Sequence, residues 1–599
     1  MQTTPTTLFS RVARHVVQVV CCLSAGIATL PAYAAPVADP LAYGAAAPAN
    51  AAVAAPVPGQ HGMAVSAQKL ASEVGARILA KGGNAADAAV AMGYALAVVY
   101  PAAGNLGGGG FMMLRPPGKP AIFFDFREKA PLAATPDMFL DSKGNVIPDL
   151  SLLGWKAVAV PGTVAGLEAV HKRWGHLPRA VVMAPAIQLA RDGFVLGEGD
   201  VQLLNTSTAA LAQDPYARKV FLRPDGSPFQ PGDRLVQKNL AHSLELIAQN
   251  GADAFYKGPI AASILEQSKA HGGILQAKDF EHYQPRELPP ISCTYRGLLV
   301  ETAPPPSAGG IALCEMLEIL AGYDMHALGL HTAPALQREI EAMRHAYSDR
   351  RDLGDPAFVH NPVSSLLDPA YIASIRAHIP PNRAIPSADL RAGVASPEKP
   401  ETTQFSVIDQ NGFAISTTYT LNGWFGAKVM AGDTGIIMND EMDDFSIKPG
   451  ALNMFGIPGS AANAIAPGKT PLSSMAPTII SRDNRPVMVI GSPGGSRIPT
   501  IILSVILGVV DYGLNIQQAI DLPRLHEQWM PQSVEVEANA LTPQVQQTLE
   551  QEGYSFVLHA PWGIPEGILV GGPGLNSHGP ARFYGGADHR HPGGAAIGE

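Results

Sequence analysis

The sequence predicts a mixed fold of stacked α and β layers, of the α+β class, and three observations carry that reading. Apolar residues from Ser66 to Val99 recur at helical spacing, in two patterns parted by Lys81-Gly82-Gly83-Asn84. The text from about 160 to 380 is again mostly helical, with turn clusters at 224–233 and 303–310. Strand-like runs stand apart from both: 111–127, broken by Pro116-Pro117-Gly118, and 402–445. No internal repeat of solenoid period is present.

Taken in chain order, residues 1–34 read as a secretory signal. Arg11 and Arg14 precede a largely apolar stretch from Val16 to Leu30, and Ala32-Tyr33-Ala34 offers an A-x-A cleavage site. That stretch is short for a membrane span, so a periplasmic or secreted protein with no retained anchor is expected. Residues 35–59 are Ala/Pro-rich with little periodicity and read as a flexible leader. Gly83 is placed to end the first helix, and Asn84 to cap the second. The Pro-rich stretch 379–401 reads as a linker closing the first half. With 599 residues, 46% of them hydrophobic, the chain is long enough to bury a large core. A net charge of −9 leaves no basic footprint for nucleic acid. Cys21 and Cys22 would leave with the signal. Cys293 and Cys314 are compatible with a disulfide and equally with two buried thiols.

The run Thr402-Thr403-Gln404-Phe405-Ser406-Val407-Ile408 alternates polar and apolar and is rich in β-branched residues. Asp409-Gln410-Asn411-Gly412 follows, a match to a three-residue hairpin loop with Gly in the left-handed position. Pairing Asp409 with Phe413 and counting back sets Thr402 opposite Thr420. One hairpin then brings a strand-leading threonine, a second threonine and Asn422 within side-chain reach. A threonine hydroxyl is a weak nucleophile without a nearby base. Cutting the Glu401–Thr402 bond would free an α-amine, whose ordinary pKa of about 7.7–8.0 suits that task.

Five ordered segments surround this hairpin and extend beyond it: 400–407, 418–422, 432–446, 471–478 and 491–497. Earlier come Gly82-Gly83-Asn84-Ala85-Ala86-Asp87, Gly107-Gly108-Gly109-Gly110-Phe111-Met112, Asp125-Phe126-Arg127-Glu128, Pro161-Gly162-Thr163 and Pro305-Pro306-Ser307-Ala308-Gly309-Gly310. Together, over about residues 60 to 590, they resemble the gamma-glutamyltransferases (gamma-glutamyltranspeptidases), N-terminal-nucleophile hydrolases that cleave themselves in two. The resemblance implies a four-layer αββα sandwich, a large subunit at 60–401 and a small subunit at 402–599. It also implies a γ-glutamyl-Thr402 ester passed to water or to an amino acid or peptide. Glutathione is the expected donor, and the two subunits form a heterodimer.

The resemblance also assigns the site residues, and the shape of an amino-acid head accounts for those that would bind it. The α-carboxylate calls for a guanidinium fork, and Arg127 is the matching position. Ser473 and Ser474 add hydroxyl donors to the same group. The α-ammonium needs acceptors, matched by Asn422, Glu441 and Asp444. Gly494 and Gly495 match the pair whose backbone N–H groups face the oxyanion. The resemblance implies that the cleavage bond lies between Glu401 and Thr402, and that Thr402 and Thr420 are the catalytic hydroxyls. The glycine run 107–110 lacks the Lys-Ser/Thr of a phosphate loop and reads as close backbone packing. No His/Cys spacing supports a metal, and no cofactor is expected. Two positions depart from the common bacterial pattern: Glu441 replaces Gln, and Phe455 replaces a lid tyrosine. The alternatives are a glutaryl acylase on the same fold, which needs no acid at 444, and an unprocessed exported binding protein.

Overall fold

The computed structural model describes residues 1, 54–390, 402–448, 450 and 459–599. The signal, most of the leader, Glu401 and Phe455 lie outside the described residues, as does the stretch 391–400.

Two seven-stranded antiparallel sheets stack face to face. The first runs, edge to edge, through Ala595–Gly598, Gly62–Ser66, Thr403–Asp409, Ala414–Thr420, Gly109–Arg115, Ile122–Asp125 and Arg286–Leu288. The second runs through Val57–Gly59, Phe583–Ala587, Glu566–Val570, Arg485–Gly491, Thr478–Arg482, Leu298–Thr302 and Ile291–Tyr295. Helices Lys69–Ala80 and Ala85–Val99 cover the outer face of the first sheet, where Val90 and Leu96 share a core with Phe405, Val407 and Tyr419. Helices Gly309–Leu320 and Ile498–Val510 cover the second, with Leu313 and Ile502 packed among Ile479 and Val489. The layers are therefore αββα. No helix among the described residues is long and apolar enough to cross a membrane.

The hairpin has the register counted from the sequence. Thr403 pairs with Tyr419 and Ile408 with Ala414, so Thr402 stands level with Thr420. Gly412 takes a φ of 81° and the Asp409 N–H donates to the Phe413 carbonyl at 3.1 Å. Both strands are buried on both faces, so the alternation does not separate core from solvent. Phe405 and Val407 face the helices, while the polar residues face the second sheet. Ser406 Oγ donates to the Glu566 carbonyl at 2.8 Å and Ser416 Oγ to that of Ile490 at 2.9 Å. Burial of these hydroxyls is tolerable because each is bonded.

Other expectations are refined. Asn84 caps its helix, its side chain accepting from Asp87 N while Asp87 Oδ2 accepts from Asn84 N, each at 3.0 Å. The preceding helix is terminated at Gly82 (φ 84°) rather than at Gly83, because only the former takes the left-handed conformation. The end of the leader is not loose: Val57–Gly59 adds an edge strand beside Phe583–Gly585, a position that tolerates Pro58. The described start of the linker also docks, with Gln337 Nε2 donating to Pro380 O and Trp529 Nε1 to Ser387 O. Strands do not dominate to 445. Beyond Thr420 the chain turns through positive φ at Asn422, Phe425, Gly426, Lys428, Gly432 and Gly435, leaving isolated bridges. Cys293 and Cys314 are joined, tying a strand of the second sheet to the helix that covers it.

Candidate active site

Hairpin register places Thr402 and Thr420 at the end of the inter-sheet layer, where both line one pocket. Its walls also hold Arg127, Asn422, Glu441, Asp444, Ser473, Ser474 and Gly495. The described residues predicted for the site thus converge, with Gly494 next to the wall rather than in it.

Backbone contacts explain the glycine runs. A Cβ on Gly108 would strike the Thr420 carbonyl, and one on Gly107 the Ile437 carbonyl. Asn105 Nδ2 donates to that same Thr420 carbonyl at 2.8 Å, while its Oδ1 accepts from Gly108 N and from Thr163 Oγ1 at 2.6 Å. The four-glycine run lets a strand pass close behind the second threonine. On the other side, Ser473 N donates to Pro306 O and Ala308 N to Ser473 O, each at 2.9 Å. Gly309 lies so close to the Ser474 carbonyl that a side chain there would collide with it. These two motifs hold Thr420 and the serine pair.

Asn422 sits at a φ of 74°, its backbone N–H donating to Thr420 Oγ1 at 2.8 Å and its Nδ2 to Asp440 O at 3.1 Å. Asn439 pins the acidic turn that follows, accepting from Glu441 N at 3.0 Å and donating to the Gly107 carbonyl at 2.8 Å. The turn Glu441–Asp444 is therefore fixed against the glycine run. Gly494 and Gly495 take φ values of 144° and 57°, a conformation that side chains disfavour.

Arg127 is the electrostatic centre. Its Nη1 lies 2.7 Å from Glu441 Oε1 and 4.0 Å from Glu128 Oε2, and its Nη2 pairs with Asp444. Its neighbour Asp125 turns away to Arg286 at 2.6 Å, so the sequence-adjacent acid is not its main partner. Burial works against the Arg127 charge, but Glu441, Asp444 and Glu128 outweigh it and hold the group above its ordinary pKa. Burial pushes the Glu128 carboxyl up to about 7 and Glu441 well above the usual range, with Arg127 opposing both. Asp444 is raised in the same way. Three buried carboxyl groups thus surround one guanidinium, an excess of acid suited to an incoming ammonium.

Several wall residues carry no mark in the sequence: Tyr347, Arg350, Arg351, Gln528 and Trp529. Arg350 Nη2 donates to Ser474 Oγ at 2.8 Å, so it braces the serine pair. These residues come from segments far apart in the chain, and no local pattern singles them out. His526 bonds Thr500 Oγ1 and Gln528 Oε1 and is held near a pKa of 4 by burial.

Comparison with known proteins places this geometry among relatives. The sequence model of the family Gamma-glutamyltranspeptidase matches residues 71–598. The glutathione hydrolase proenzyme of Pseudomonas sp. (strain A14) is 52% identical over 552 residues, 92% of this chain and 96% of its own length. That of Escherichia coli (strain K12) is 44% identical over 561 residues, covering 93% and 95%. Among solved structures, the cephalosporin acylase from Bacillus halodurans superposes with a TM-score of 0.78 at 27% identity, covering 91% of this chain and 96% of that one.

Proposed function

The chain belongs to the gamma-glutamyltranspeptidase family, and from that premise we propose that Thr402 carries both its maturation and its turnover. The protein is a self-processing γ-glutamyltransferase and glutathione hydrolase of two subunits, acting on small molecules. In maturation, Thr402 Oγ attacks the Glu401 carbonyl carbon and the peptide C–N bond breaks, leaving an ester and a free α-amine. Water then cleaves the ester, giving a Glu401 carboxylate and restoring the Thr402 hydroxyl.

In turnover, that α-amine takes the hydroxyl proton as Thr402 Oγ attacks the γ-glutamyl carbonyl. The backbone N–H groups of Gly494 and Gly495 face the developing oxyanion. Collapse breaks the amide bond, and the leaving amine takes the proton. Water, or the free amine of an amino acid or peptide, then breaks the γ-glutamyl-Thr402 ester. Arg127, Ser473 and Ser474 bind the α-carboxylate; Asn422, Glu441 and Asp444 receive the α-ammonium; Thr420 supports Thr402 from the facing strand. The signal-like first 34 residues support export to the periplasm or medium.

The observation that carries this reading is the union, in one pocket, of the paired threonines with a guanidinium, two serines and the acids at 441 and 444. A glutaryl acylase would need no such acids. The test is a denaturing gel of purified protein. Wild type should give two bands, the smaller beginning at Thr402, and Thr402→Ala should remain one. Two bands from Thr402→Ala under protease-free conditions would remove the self-cleavage claim.

A further inference from the structure

Two separate stretches of chain supply the ammonium acceptors. Asn422 follows the hairpin, while Glu441 and Asp444 lie in the acidic turn, and all three line the pocket. We propose that Asp440 is the positioning residue that joins these stretches, holding Asn422 in a fixed relation to the acidic turn and so setting the width of the socket for the substrate ammonium. This role for Asp440 rests on the γ-glutamyl reading of the same pocket.

Asp440 is bonded to three consecutive residues beyond the second threonine. Its backbone N–H donates to Leu421 O at 3.0 Å, its carbonyl accepts from Asn422 Nδ2 at 3.1 Å, and its Oδ1 accepts from Gly423 N at 2.7 Å. The middle residue, Asn422, sits at a φ of 74°, in a region that a residue with a Cβ enters at a cost and keeps where its surroundings fix it. Its backbone N–H donates to Thr420 Oγ1 at 2.8 Å, so the same turn also locates the second threonine. A side-chain amide is planar and rigid. Holding Nδ2 on the Asp440 carbonyl therefore fixes the direction of Asn422 Oδ1, the kind of acceptor an ammonium needs.

The other side of the joint is anchored as well. Asn439, one residue back, donates to the Gly107 and Ala159 carbonyls and accepts from Ala159 N and Glu441 N. Glu441, one residue on, pairs with Arg127 at 2.7 Å. Asp440 is fully buried between them, and its Oδ2 makes no hydrogen bond among the described residues. Of its three bonds to the turn at 421–423, two come from the main chain and the one to Gly423 N comes from the carboxyl. A substitution therefore removes the carboxyl's share while both main-chain bonds stay. The Gly423 N–H needs an acceptor rather than a charge, and an asparagine amide supplies one in the same place.

The test measures release of p-nitroaniline from γ-glutamyl-p-nitroanilide at a fixed acceptor concentration, with kcat taken per processed chain. The variants are Asp440→Ala, Asp440→Asn, Asn422→Ala and the double variant Asp440→Ala/Asn422→Ala. Asp440→Ala leaves the buried Gly423 N–H without its acceptor and should raise the donor KM about tenfold. Asp440→Asn keeps an acceptor there and should stay within about threefold of wild type. Because Asp440 acts through Asn422, the double variant should show the donor KM of Asn422→Ala alone. A merely structural role would lower the processed fraction or kcat and leave the KM where it was. Should Asp440→Ala fail to process, Asp440→Leu, closer in volume and equally unable to accept, makes the same measurement. Three results would overturn the assignment while leaving the donor chemistry intact: an unchanged KM in the alanine or leucine variant, a KM raised as far by Asp440→Asn as by Asp440→Ala, or losses that multiply in the double variant. Failure of wild type to release p-nitroaniline would overturn the donor reading, and this assignment with it.

Discussion

Asp444 pairs with Arg127 in this chain, although the two are assigned to opposite charges of the same substrate head. The arrangement is consistent, because a carboxylate has lone pairs for a guanidinium and an ammonium together. Asp444→Asn removes a charge-assisted partner worth about 1.5–3 kcal/mol, so γ-glutamyl turnover should fall by roughly ten- to a hundredfold. Glutaryl-p-nitroanilide has no ammonium and should lose far less; equal losses on the two substrates would make Asp444 structural. The buried acids also give the site a pH signature. Glu128, pushed up to about 7, shares its surroundings with Glu441 and Asp444 and gains a proton as pH falls through that value. Protonation removes negative charge that would face the substrate ammonium, so KM for the donor should rise as pH drops from 8 to 6. The effect should be blunted in Glu128→Gln. A donor KM flat over that range would show that these acids do not sense the ammonium. The predicted residues that line the pocket with Thr402 were picked out by short ordered motifs that resemble those of a known family. Arg350 and Arg351 were not, because an arginine in a helical stretch looks like an ordinary solvated residue until the fold brings it beside Ser474 and Trp529.

The hairpin was readable because turn chemistry and side-chain alternation fix register together, and a one-residue slip would have turned Thr402 away from Thr420. Arg286–Leu288, Ile291–Tyr295 and Leu298–Thr302 were lost inside text read as helical. They are three to five residues long, too short for a period of two to stand out. The loop after Thr420 failed for the opposite reason. Ile436-Ile437-Met438 has strand composition, yet its neighbours sit at positive φ and the apolar side chains enter the core without a ladder. Pairing of Cys293 with Cys314 was undecidable from two cysteines, and it depends on the helix Gly309–Leu320 lying across its sheet. The bridge spans 21 residues, a loop whose closure is worth about 3 kcal/mol in the chain-entropy account. The double variant Cys293→Ala/Cys314→Ala should therefore unfold at lower denaturant, while wild type should approach it under reductant. Identical midpoints for oxidised wild type and the double variant would mean that native packing, not the crosslink, secures that helix.

At the scale of the molecule, helix and strand composition gave layers but not their number. The stacking became visible only when strands from both ends of the chain were seen to share sheets. In the first sheet Gly62–Ser66 lies between Ala595–Gly598 and Thr403–Asp409, and Ala414–Thr420 lies against Gly109–Arg115. In the second, Val57–Gly59 borders Phe583–Ala587, and Leu298–Thr302 borders Thr478–Arg482. The proposed cleavage before Thr402 would therefore divide the covalent chain but not the fold, because each sheet is built from residues on both sides of that bond. Separating them would break ladders in both sheets and open the core between them, which is unfolding. Mature protein should accordingly elute from a sizing column as one species containing both pieces. Thermal melting should show one transition, with loss of activity coinciding with release of the small piece. Native-state separation of the two pieces, without denaturant and with either one still folded, would contradict the interleaved sheets and require each piece to hold a core of its own.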